Sequence, residues 1–151
     1  MTTTNAAPVS NLARGILEEI VAPTATKGGH IVFHVPTSSY RLHLRAAGVI
    51  KASVGKRLVG IITCEARRVD VVLQGGRLVE PVIGRPRRIH GTVLQTGSGT
   101  LTVNCAGGAA VDSAPMPVVV KLTDPRDQIA TYEVGTLVAF DVLEGATFEE
   151  R

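Results

Sequence analysis

Residues 29–45 read GHIVFHVPTSSYRLHLR, and the alternation within them decides the fold class. A turn at Pro36-Thr37-Ser38-Ser39 pairs Val35 with Tyr40. Ile31, Phe33 and Val35 then share one face with Tyr40, Leu42 and Leu44, while His30, Val32 and His34 lie beside Arg41, His43 and Arg45 on the other. A period of two with one apolar and one polar face predicts a hairpin with one buried and one wet side. The wet side is cationic.

The flanks read the same way. In LARGILEEI, residues 12–20, Gly15 weakens a helix, and a strand from Gly15 to Val21 is predicted. MTTTNAAPVSN, residues 1–11, is small, polar and unpatterned, so a disordered lead-in is expected. VGKRLVGIITC (54–64) reads as a strand, and RVDVVLQGGRLVEPV (68–82) as a second hairpin closed by Gly75-Gly76. GRPRRI (84–89) is a basic connector. IHGTVLQTGSGTLTV (89–103) is a third hairpin turning at residues 96–99, and 104–115 is a loop of small residues. MPVVVKL is a strand, DPRDQ a loop, and VGTLVAFDVLEGATFEE the last two strands.

Composition agrees. With 44% hydrophobic residues but only 3% aromatics, the core must rest on Val, Leu, Ile and Ala, and 16 Gly with 8 Pro cut the chain into short pieces. No apolar run reaches the ~18 residues of a membrane helix. The first twenty residues lack a secretory leader's basic start and apolar middle, which predicts a cytoplasmic chain. Cys64 and Cys105 form no CxxC pair. One disulfide or two reduced thiols both fit, and two buried thiols are the expectation.

The halves echo each other. RGILEEIV is answered by HGTVLQTG, SSYRLHL by MPVVVKL, and ASVGKRLVGIIT by YEVGTLVAFDV. An internal duplication and a chance agreement of Val-rich β patterns both produce this. The order G-x-V, G-T-L-T-V, P-V-V-V-K-L, V-G-T-L-V-A-F-D-V resembles small five-stranded OB-type barrels, over residues 90–150 and more loosely over 14–72. The resemblance implies an all-β fold of two small antiparallel OB-like barrels in tandem, with few or no helices. The first would span 12–83 and the second 90–151, joined by the connector at 84–89. It also implies a ligand on the face of the second and third strands, where such barrels bind oligonucleotides or oligosaccharides.

Charge is divided along the chain. Residues 1–90 hold 13 Lys and Arg against 5 Asp and Glu, a net +8; residues 91–151 hold 3 against 8, a net −5; together they give +3. The first barrel would be basic and the second acidic. His30, His34, Arg41, His43 and Arg45 share the hairpin's wet face, with Lys51, Lys56, Arg57, Arg67 and Arg68 following and Arg85, Arg87 and Arg88 in the connector. All are candidate phosphate contacts, against the plainer reading of a solvated outer face. Gly84-Arg85-Pro86 looks like the core of AT-hook peptides, without the Pro-Arg that precedes it there.

No catalytic pattern stands out. The hairpin has no Asp, Glu or Cys to complete a metal site with its histidines, and TGSGT (96–100) lacks the Lys and helix of a phosphate loop. A non-enzymatic module without cofactor is expected. Its partner would be nucleic acid, held by phosphates with little sequence preference because stacking aromatics are few. The alternative is a structural protein that homo-oligomerises through its basic and acidic halves.

Overall fold

The alternation at 31–35 and 40–44 forms the hairpin it predicts. In the computed structural model, which describes residues 10–105 and 115–151, β2 (His30–His34) and β3 (Arg41–Ala46) pair antiparallel. Phe33 faces Leu42, Ile31 faces Leu44, and the Val35 N–H donates to the Tyr40 carbonyl at 3.0 Å. Ile31, Phe33, Leu42 and Leu44 are buried. Val32, on the polar side, is buried as well, flanked across its two neighbouring strands by Glu19 and His43.

The remaining strands are β1 (Ala13–Val21), β4 (Arg57–Val71), β5 (Leu78–Glu80), β6 (Ile83–Gly84), β7 (Arg88–Gly97), β8 (Thr100–Asn104), β9 (Pro117–Leu122), β10 (Leu137–Val142) and β11 (Thr147–Glu150). The fold is all-β. DPRDQ, expected as a loop, contributes the single short helix among the described residues, α1 (Pro125–Ile129), with Asp124 capping the Arg126 N–H and Pro125 in its first turn. No helix among the described residues is long and apolar enough to cross a membrane. Of the expected lead-in, residues 1–9 lie outside the described residues, as does most of the small-residue loop.

Two expectations are corrected. The sheet is mixed, not antiparallel: β3 runs parallel to β6 and β11, and β4 parallel to β9. Alternation identifies a strand and its buried face, but not the direction of a partner that arrives from far along the chain. Nor is 68–82 a hairpin. β4 continues unbroken to Val71 and pairs there with β10, while β5 turns onto β7. The alternating burial of Leu58, Ile62, Cys64 and Ala66 carries β4 past the expected end at residue 64. Residues 66–71, expected to pair back across Gly75-Gly76, pair with β10 instead.

Following hydrogen bonds from β1 through β2, β3, β11 and β4 returns to β1. A second circuit runs from β4 through β10, β7, β8 and β9 back to β4. The matching sequence segments take matching places: β1 with β7, β3 with β9, and the start of β4 with β10. The agreement extends to detail. β1 is bulged between Leu17 and Glu19, and β7 between Val93 and Gln95. The Leu17 and Val93 N–H groups donate to Lys56 and Thr136 carbonyls, and their own carbonyls accept from Gly55 and Gly135. Those two glycines have φ of +90° and +92°, a left-handed turn that explains the repeated Val-Gly. The fifth strand of each circuit comes from the other half: β11 completes the first, the second half of β4 the second. Pairing thus crosses residues 84–89 in both directions.

One hydrophobic cluster runs through both circuits. The Phe33 and Phe148 rings meet in it at 5.4 Å, and Cys64 and Cys105 lie in it as free thiols. Burial pushes the Cys64 thiol up to about 12 and Cys105 well above its ordinary value, so both stay protonated. Gly60 is where β4 passes beneath Phe148; a methyl group there meets that ring and the Glu149 carbonyl. Gly60→Ala should cost about 1–3 kcal/mol by overpacking. Gly76→Ala, which faces open space with no left-handed φ, should stay within ~0.5 kcal/mol. Urea-unfolding midpoints of the two variants test the difference.

Candidate anion-binding cleft

The outer face of β2–β3 is not one uniform cationic surface, because acidic residues from other segments reach each end of it. The bulge in β1 aims Glu18 across β2 at one end. Arg41 Nε donates to Glu18 at 2.9 Å, and His34 Nδ1 lies 3.6 Å from the same carboxylate. Arg41 also donates to the Ser39 carbonyl, so this end is locally compensated.

At the other end the balance is different. His30 and His43 are diagonal across the hairpin, and their rings stack with centroids 4.5 Å apart and planes 16° from parallel. Beside them opens a cleft of about 470 Å³ lined by Lys27, His30, His43, Arg45, Arg85, Arg87 and Glu144 together with the Gly28-Gly29 and Gly145-Ala146 backbones. Each wall is fixed by local bonding. The Thr24 hydroxyl accepts from the Lys27 N–H and the Lys27 carbonyl from the Thr24 N–H, which closes the turn that presents Lys27. The Arg45 N–H donates to the Ala146 carbonyl, holding the β10–β11 loop against β3. The Arg87 N–H donates to Glu80, and its carbonyl accepts from Val142.

The segment read as a loose basic connector is therefore pinned. Ile83 and Gly84 bridge to β3, and Pro86 is buried. That geometry is unlike the free extended strand an AT-hook needs. Of its arginines, Arg85 and Arg87 face the cleft and Arg88 turns away to Asp141 at 2.9 Å.

His30, His43, Arg45, Arg85 and Arg87 are thus brought together. His34 and Arg41 are tied to Glu18, and Lys51, Lys56, Arg57, Arg67 and Arg68 lie elsewhere: the first two in the 47–56 connection, the others on β4. Sequence reasoning missed Lys27 and Glu144. Lys27-Gly28-Gly29 directly precedes the hairpin, and that adjacency was the available signal; Glu144 arrives from 99 positions beyond Arg45, where no local pattern reaches. The Arg45–Glu144 approach is 3.7 Å between exposed side chains, a weak pair in water. Among the described residues no group of three or more His, Cys, Asp or Glu could hold a metal ion.

Compared with protein-family models, curated proteins and solved structures, the chain matches none of them.

Partial burial is the main cause lowering the pKa of His43 from its ordinary 6.5; His30 adds to it and Glu19 opposes. His43 is therefore neutral at pH 7. The unfolded chain takes that proton first as pH falls, so folded-state stability declines in the window below 6.5. In NMR titration His43 should show a midpoint below 6.5, and His30→Asn should raise it by removing one of the causes. A midpoint at or above 6.5 in the wild-type protein contradicts this electrostatic picture.

Proposed function

We propose that this chain is a non-enzymatic binding module for a polyanion, with nucleic acid held by its phosphates as the favoured ligand. The observation that carries the reading is the cleft. Lys27, Arg45, Arg85 and Arg87 converge there from three separate segments beside two stacked imidazoles, and among the described residues Glu144 is the one carboxylate lining it. Guanidinium forks suit phosphate oxygens, and neutral imidazoles donate hydrogen bonds to them.

The first circuit supports where the ligand would sit. An OB-type barrel is a five-stranded, partly open barrel, and the first circuit has five strands with β11 as its fifth. Such barrels bind ligands on strands two and three and on the loops joining strands one to two and four to five. In this chain those parts are β2, β3, residues 22–29 and the loop leading into β11, all of which contribute to the cleft. The second circuit also has five strands, and a duplicated OB-like unit with exchanged fifth strands is the architecture we propose.

Assembly through opposite charge has less support, since basic and acidic halves already meet within the chain. Arg88 pairs with Asp141, Arg45 approaches Glu144, and the Lys51 and Ala52 N–H groups donate to Glu150. A monomeric mass in solution at low salt would remove that alternative.

Binding should be steep in salt. With about four cations engaged, the slope of log affinity against log salt is roughly −3.5 for duplex DNA and −3 for a single strand. Arg45→Gln with Arg87→Gln should weaken every sequence alike and flatten the slope by about two units. Arg67→Gln, outside the cleft, should change neither. Fluorescence anisotropy between ~50 and 200 mM salt measures all three; no binding at ~50 mM rejects the proposal.

A further inference from the structure

We infer that the cleft is built for a compact phosphorylated ligand of nucleotide size carrying two or more negative charges, such as a nucleotide or the phosphorylated end of a strand, and not for a run of internal phosphodiesters. This rests on the anion-binding reading above and narrows it.

The first ground is how the charge is arranged. A protein that follows a nucleic-acid backbone lines a groove with cations, because each internal phosphate carries one charge and the next lies farther along the strand. Here four cations surround one cleft of about 470 Å³, within the ~300–1,000 Å³ range of small-ligand sites. The remaining candidate cations do not extend it into a track. Arg41 and Arg88, neither of which lines the cleft, are paired with Glu18 and Asp141.

The second ground is the stacking surface. Non-specific single-strand binders seat successive bases on aromatic side chains. Phe33, Phe140 and Phe148 are fully buried and Tyr132 nearly so. In the cleft the π surface is the His30–His43 pair, one face of which is taken up by the other ring. Each ring keeps only its outer face, which is no platform for a series of bases.

The third is the imidazole pair itself. Partial burial and the His30 ring 4.5 Å away disfavour the charged form of His43, which negative charge brought against it would favour. A phosphomonoester loses its second proton near pH 6, so bound in the cleft it sets a second negative charge against the His43 ring. An internal phosphodiester has no such proton.

The probes are a nucleoside triphosphate, a 12-nucleotide DNA with a 5′-phosphate, and the same DNA with both ends hydroxyl, each titrated at ~100 mM salt while the His43 NMR signals are followed. The triphosphate, the phosphorylated strand or both should bind at least tenfold tighter than the hydroxyl-ended strand. Whichever does so identifies the source as a free nucleotide or a strand end. The His43 midpoint should rise when that probe is bound, and Glu144→Gln should tighten binding several-fold. Equal affinity for the two strands with no competition from the triphosphate overturns this inference while leaving the backbone reading in place. Binding that leaves the His43 midpoint unmoved also overturns it. Failure of every probe to bind at ~50 mM salt overturns the anion-binding reading itself.

Discussion

β4 pairs with four strands in succession along its length. Residues 57–60 pair with β1 and 60–63 with β11, then 62–66 with β9 and 66–71 with β10. Each hydrogen-bonded circuit closes through it. Meeting four partners requires local adjustments. Gly60 admits Phe148 against the backbone. Farther on, Arg68 adopts φ of +59° where β4 carries an extra residue opposite β10. The bulge is fastened from α1: the Val69 N–H donates to the buried Asp127 carboxylate at 3.1 Å, and the Tyr132 hydroxyl donates to the Val69 carbonyl at 3.3 Å. Burial and the neighbouring carboxylates, Asp127 foremost, push the Tyr132 phenol up to about 12, so that donor stays protonated.

The sequence was most legible where a pattern is local. The 29–45 hairpin and its register follow from alternation and one turn, and Val35–Tyr40 is bonded as that turn requires. The paired Val-Gly steps and the parallel between RGILEEIV and HGTVLQTG mark corresponding strands. Partnership was not legible. β11 lies beside β3 and β4 because the first circuit lacks a fifth strand, a requirement that no window around Phe148 contains. The same reason made half of the cleft visible: His30, His43 and Arg45 belong to one hairpin, whereas Lys27, the β6–β7 arginines and Glu144 join them only through the tertiary fold.

The division of charge between the halves also looks different once folded. Interleaving the halves sets Asp141 beside Arg88, Glu144 near Arg45, and the Glu150 carboxylate on the 51–52 backbone, so part of the asymmetry is compensated within the chain. Glu18, from the basic half, compensates Arg41 in the same way. At the cleft, among the described residues, four cations face one carboxylate, while Lys51, Lys56, Arg57, Arg67 and Arg68 are spread over the 47–56 connection and β4.

The position of β11 has a consequence for how the chain is made. A ribosome delivers β1 to β4 early, yet the strand that completes their circuit follows Gly60 by roughly ninety residues. At ~5–20 residues per second, that interval is roughly 5–20 s. Throughout it β3 and the first part of β4 present unpaired amide and carbonyl groups with an apolar interior behind them, a surface that nascent chains on neighbouring ribosomes could extend. The pairing of β3 and β4 with β11 is complete only once residues 147–150 have been made.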